Sequence, residues 1–224
     1  MASKKAARES EAFLFSDFPI NDLVIKPPSH VVPGLFGIPD IQGLRQAFIN
    51  LSPNKGEWLR VCFDVDVDHI STLKDSTGAP RAFKLVVDVA GEQEAFMNEL
   101  SKKFHKLFLD ELQRRGDPVP KVEWHPVVME KKGMASSFSV KVNLRETMLK
   151  IWDPAAETKM RVGKGWDFIK NVNLGHAKVK LAFAPVRVWH KEGKAGVALE
   201  ASLLVVEETE QRPTVIDCFG EDDL

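Results

Sequence analysis

Residues 57–69, EWLRVCFDVDVDH, decide how this chain is read. Leu59, Val61, Phe63, Val65 and Val67 alternate with Trp58, Arg60, Cys62, Asp64, Asp66 and Asp68. Successive side chains of a strand point to opposite faces, so this period of two predicts a half-buried β-strand with one apolar and one wet face. Just beyond it, Asp75-Ser76-Thr77-Gly78 carries turn residues, and residues 81–89 (RAFKLVVDV) supply a return strand, making a hairpin with a long loop.

The period then changes. In residues 92–115, Phe96, Leu100, Phe104, Leu107, Phe108 and Leu112 recur at spacings of three and four, which predicts an amphipathic helix with one apolar stripe. Two acids open it, Arg114 and Arg115 close it, and Gly116 and Pro118 end it. Beyond Pro120 the strand pattern returns. Residues 121–129 are interrupted by Pro126, and Phe138, Val140, Val142 and Leu144 alternate with polar neighbours. A short strand begins at residue 150, and a Gly-rich loop follows over residues 161–171 (RVGKGWDFIKN). Residues 176–190 (HAKVKLAFAPVRVWH) read as a long strand with Ala177, Val179, Leu181 and Phe183 inward and a bulge or edge at Pro185. Residues 197–206 pair back on it. On the other side of the deciding stretch, prolines 27, 28, 33 and 39 forbid a helix and predict an extended lead-in over residues 13–40 that lies against the core.

Strand runs that do not alternate with helices predict a mainly antiparallel sheet closed into a barrel or sandwich, with a small, partly open Greek-key barrel carrying one helix as a good candidate. The expected organisation is a polar arm at residues 1–12, one β-domain at 13–207, and an acidic tail at 208–224.

Composition fits one elaborated domain: 224 residues, 44% hydrophobic and 28% charged, enough apolar side chains for a real core. Cys62 and Cys218 are too few for a disulfide framework and point to a reducing compartment. No apolar run reaches the length of a membrane span, and residues 1–13 contain no apolar signal core, so an intracellular, non-secreted protein without membrane contact is expected. The formal charge of −1 conceals a strong asymmetry. Residues 121–194 carry 15 Lys/Arg against 7 Asp/Glu, whereas residues 195–224 carry Arg212 alone against 8 acids. A basic body followed by an acidic end points to a polyanionic partner with built-in competition.

Enzyme signatures are weak. Asp64, Asp66 and Asp68 begin like a calcium loop with Asp75 at the twelfth place, but His69 stands where the turn needs glycine, and the alternation says strand. The six histidines form no zinc spacing. Gly163 and Gly165 lack the trailing Lys-Ser/Thr of a phosphate loop, and there is no Gly-x-Ser-x-Gly elbow. Cys62 reads as a small strand residue rather than a nucleophile. No catalytic residue, metal or cofactor is expected.

What remains is a basic, aromatic stretch. Proteins that hold single strands combine a positive groove with rings on which bases stack. The candidates are Lys141, Lys150, Trp152, Lys159, Arg161, Lys164, Lys178, Lys180, Arg187 and Trp189. Tyrosine is absent, so stacking falls to Trp and Phe. Lys178 and Lys180 form the best single pair, since their spacing sends both ammonium groups to one side of a strand.

The lead-in IKPPSHVVPGLFGIPD before WLRVCFDVDVD, the apolar helix after the early hairpin, and KVNLRETMLKIWDP followed by HAKVKLAFAPVRVWHKEGKAGVALEASLLVVEE together resemble a known family. It is that of the phage-type single-stranded-DNA-binding proteins, which also occur in large nucleo-cytoplasmic DNA viruses. The resemblance spans residues 20–207. It implies an OB-fold barrel with a helix insertion, sequence-independent binding of single-stranded DNA in replication, recombination or repair, and no cofactor. It also implies an acidic tail that competes with DNA and recruits replication proteins, here Asp217, Phe219, Glu221, Asp222, Asp223 and Leu224. A monomer or a homodimer is compatible with the sequence. The rival readings are a structural or scaffolding β-protein of a virion, whose basic face meets another protein, and a metal-dependent nuclease built on the Asp64 row.

Overall fold

The computed structural model describes residues 12–26, 45–51, 60–115, 123–130, 133–153, 157–191 and 193–207. Residues 1–11, the second half of the Pro-rich lead-in (27–40), Trp58 and the whole tail 208–224 lie outside them. The elements in chain order are β1 (Ala12–Leu14), β2 (Leu23–Lys26), β3 (Arg45–Leu51), β4 (Arg60–Lys74), β5 (Pro80–Val89), α1 (Gly91–Arg115), β6 (Glu123–Trp124) and β7 (Val128–Met129). They continue with β8 (Ser136–Asn143), β9 (Met148–Trp152), β10 (Met160–Gly163), α2 (Trp166–Ile169), β11 (Lys178–Lys191) and β12 (Lys194–Val206).

The deciding stretch is the pivot of the molecule. β4 runs 15 residues and pairs antiparallel with two partners, β11 through Val61–Asp66 and β5 through Val67–Lys74. A register shift between Val67 and His69 leaves Asp68 as the extra residue, and such a bulge bends a strand so that it can serve two sides of a barrel. β5 pairs with β8, and β12 pairs with β11 along most of its length. Closure is made by β12 running parallel to β8 at Glu200–Lys141 and then parallel to β9. The circuit β4-β5-β8-β12-β11-β4 is a five-stranded, OB-fold-like barrel. Its seam is thin: the chain turns at residues 144–147 between β8 and β9, and the buried Thr147 hydroxyl donates to the Ala201 carbonyl at 2.9 Å across the gap.

Pro185 behaves as its chemistry requires. β11 pairs with β4 as far as Phe183 and with β3 from Arg187, so the missing proline N–H falls between two partners. The register with β12 also shifts between Pro185 and Arg187.

The barrel interior is aromatic. Phe63 meets Phe183 at 5.3 Å and Phe138 at 5.7 Å, ring centroid to centroid, both edge to face, the arrangement ring quadrupoles favour. Inserted between the second and third barrel strands, α1 buries Leu100, Phe104 and Phe108, as its apolar stripe predicts, and Met97 beside them. Phe96 on the same helix packs against Phe63 and Phe18. Ser101 ties the helix down by accepting from Trp124 Nε1 and from the Val127 N–H, each at 3.2 Å.

Two local expectations differ from the structure. Residues 161–171 are not one loop: 160–163 form β10, an antiparallel partner of β9, and 166–169 form α2, whose Ile169 is buried in the core. The first strand also continues to Lys74, past the end of its alternation, because the hairpin arm of residues 69–74 is exposed on both faces. A burial pattern cannot mark a strand where nothing is buried.

Candidate nucleic-acid interface

Register fixes which side chains share the outer surface. Directly paired residues lie on the same face. Ser71 (β4), Lys84 (β5), Lys141 (β8), Glu200 (β12) and Ala184 (β11) therefore form one outward row across all five barrel strands. Like charges directly opposite repel, and Lys84 and Lys141 are opposite. Glu200 relieves this: its Oε1 accepts from Lys141 Nζ at 3.1 Å and from Arg187 Nη2 at 2.8 Å.

Beside this row lies an open groove of about 270 Å³, lined by Leu73, Lys84, His125, Pro126, Met129, Ser139, Lys141, Trp189 and Leu199, among others. Its ring is Trp189, half-buried on β11. Gly196 stands opposite it in register on β12, and a Cβ there would come within 2.7 Å of the indole and 3.3 Å of the His125 carbonyl oxygen. The indole therefore lies against bare backbone, a platform that only glycine allows at this distance. The groove is lined from β4, β5, β8, β11 and β12 and from the segment at residues 125–129.

A second hollow of about 280 Å³ opens along the seam, lined by Arg60, Glu146, Ala184, Glu200, Ala201 and Ser202. Glu200 borders this second hollow and follows Leu199, which lines the first.

The remaining basic candidates lie elsewhere on the outer surface. Lys150, Val205, Lys180 and Asp64 make a second cross-strand row over β9, β12, β11 and β4. Lys178 faces Asp66 in the same way. Lys180 also pairs with Glu207, and the carboxylate's hydrogen bond and charge, with Asp64 behind them, hold its ammonium pKa above the ordinary value. The pair expected to be the most available is therefore matched by acids, and the row of aspartates faces lysines. Arg161 Nε contacts Asp153 at 3.0 Å, and its guanidinium lies over the Phe168 ring. Lys159 and Lys164 are exposed around β10. Trp152 is 38% exposed on β9, on the same face as Lys150, the exposed Met148 and the exposed Val162 of β10. Of the ten basic and aromatic candidates, the first row and its groove thus gather Lys141, Arg187 and Trp189. Lys150, Trp152, Lys178 and Lys180 share the outer face of the second row, and Lys159, Arg161 and Lys164 decorate the β9–β10 hairpin. The tail candidates Asp217, Phe219, Glu221, Asp222, Asp223 and Leu224 lie outside the described residues.

Lys84, Glu200 and Gly196 escaped the sequence reading. Lys84 was legible as a wet-face residue of RAFKLVVDV, but it lies far from the basic segment in sequence. Glu200 is the sole acid in β12.

Burial raises the half-buried Cys62 thiol above its usual pKa, which keeps it protonated and a poor nucleophile. Among the described residues, no group of three or more His, Cys, Asp or Glu side chains is placed to hold a metal ion, and no helix is long and apolar enough to cross a membrane.

No family model and no curated protein sequence matches the chain. Among solved structures, a C-terminally truncated single-stranded DNA-binding protein of bacteriophage Enc34 superposes over 81% of this chain and 99% of its own, at 8% identity and a TM-score of 0.42. The same phage's protein in complex with ssDNA superposes over 80% and 98%, with the same identity and TM-score. Both are phage proteins; neither comes from a large DNA virus.

Proposed function

We propose that the protein binds single-stranded DNA without sequence preference, along the groove that holds Trp189, Lys84 and Lys141, with Arg187 joined to Lys141 through Glu200. The carrying observation is the indole platform on Gly196 beside lysines on two neighbouring strands, Lys84 on β5 and Lys141 on β8, on an OB-fold-like barrel of the kind that binds oligonucleotides. A base has an apolar face and a phosphate has a negative charge. A ring beside lysines meets both, through features that every nucleotide shares. Trp152 and Lys150 on β9, with Lys180 and Lys178 on β11, extend the cationic surface beyond the seam. Participation in replication, recombination or repair, and recruitment of replication proteins by the tail, belong to the same proposal and draw on the acidic composition of residues 208–224.

The test is a fluorescence titration of the full chain with an unstructured oligothymidine at two salt concentrations. Indole quenching, with affinity falling by a log–log slope of about −0.7 per phosphate engaged, is expected. Trp189→Ala is expected to weaken binding by about 1–3 kcal/mol. Absence of both quenching and salt slope would end the proposal.

A further inference from the structure

We infer that Glu200 is a built-in competitor for the DNA backbone: in the free protein its carboxylate occupies the place of a phosphate, and a bound strand must displace it. The inference rests on the groove being the single-strand site. One oxygen, Oε1, takes both Lys141 Nζ at 3.1 Å and Arg187 Nη2 at 2.8 Å, so both cations converge on a single anionic point. That point is reachable. The Glu200 side chain is 18% exposed and those of Lys141 and Arg187 are 29% and 28% exposed, low enough to strengthen the charge-assisted bonds and open enough for exchange.

Its position suits such a role. Glu200 stands at the closing seam, bordering the hollow of Arg60 and Ala184 and fixing the cation that lines the Trp189 groove. A strand passing from one hollow to the other crosses it. The carboxylate also keeps Lys141 beside Lys84 without repulsion while DNA is absent, and a phosphate would replace it in that task. Because the two cations are already matched, a phosphate docking there releases little bound counterion. Glu200 therefore lowers both the affinity and the salt sensitivity that the groove's cations would otherwise give.

The experiment measures oligothymidine affinity of the full chain at about 50 and 200 mM salt, where each added phosphate contact is worth about threefold between the two conditions. Wild type, Glu200→Gln, Glu200→Gln with Lys141→Gln, and Trp189→Ala are compared, with melting temperatures recorded. The expected result is tighter binding by Glu200→Gln, on the order of tenfold at the lower salt, with its advantage shrinking about threefold at the higher salt and disappearing in the double variant. If Glu200→Gln melts well below wild type, Glu200→Asp, which keeps the charge but shortens the reach, must show the same direction. Wild-type affinity and slope in a folded Glu200 variant, or a gain that survives Lys141→Gln, overturns the inference while binding that is lost in Trp189→Ala leaves the groove intact. Failure of wild type itself to bind overturns the groove.

Discussion

At Gly196 a single hydrogen in place of a methyl decides whether the Trp189 indole can lie on strand β12. Gly196→Ala would force the ring away from the backbone, because the added methyl would meet the indole at 2.7 Å and the His125 carbonyl oxygen at 3.3 Å. A weakening of oligonucleotide binding close to that of Trp189→Ala is expected, with the melting temperature falling by only a few degrees because the ring is half-buried rather than core. Titration beside thermal melting checks this; unchanged affinity would show that ring placement is irrelevant. Lys84 makes a complementary case. Lys84→Ala should weaken binding and flatten the salt slope by about 0.7, the effect of one phosphate contact on a single strand. Nothing in one sequence marks these positions. The lysine was visible as wet-face, but its neighbour Lys141 lies 57 residues away and only the β5–β8 register joins them.

Among elements, the strand pair β4–β5 shows how chemistry sets a turn. The Asp75 carboxylate accepts from the Thr77 N–H at 2.8 Å, the Thr77 hydroxyl at 2.6 Å and the Ala79 N–H at 3.1 Å, and these bonds hold its pKa below the ordinary value. A depressed carboxylate adds stability that is present above the unfolded-state pKa and is lost as pH falls through the folded one. The stability gap between wild type and Asp75→Ala should therefore be steady near neutrality and close on strong acidification, as read by denaturant titrations across pH. A gap independent of pH would remove the charge from the account. Strand β4 and the helix were legible because each has one buried side: the stripe Phe96, Leu100, Phe104 and Phe108 and the alternation Val61, Phe63, Val65 and Val67 are records of burial. The arm of residues 69–74, β10 and α2 were not legible, since short or fully wet elements leave no such record. Phe63 is where the two patterns meet, edge-on to Phe138 and Phe183 and against Phe96. Phe63→Ala should cost about 3–5 kcal/mol in chemical denaturation.

On the scale of the whole molecule, charge segregates by sequence and is then redistributed by folding. The excess of 15 basic over 7 acidic residues in 121–194 suggested one continuous cationic face. Folding sets part of it against the first half of the chain, Lys178 and Lys180 opposite Asp66 and Asp64, and leaves the groove around Trp189 with its own arrangement. Pairings between distant strands are the least legible feature of a β-barrel, because alternation fixes which face a residue takes but not which strand lies beside it. We propose that the acidic residues of 208–224 compete for the same cations, so removing them should tighten oligonucleotide binding, most strongly at low salt. Equal affinities for the full and shortened chains would confine the tail to other roles. The central claim, that a single strand lies on the Trp189 groove, is tested most directly by photo-crosslinking a bromodeoxyuridine-substituted oligothymidine to the full chain and sequencing the modified peptides. Crosslinks at Trp189, lost in Trp189→Ala, are predicted. Crosslinks confined to surfaces away from β5, β8 and β11, with Trp189 unmodified, would contradict it.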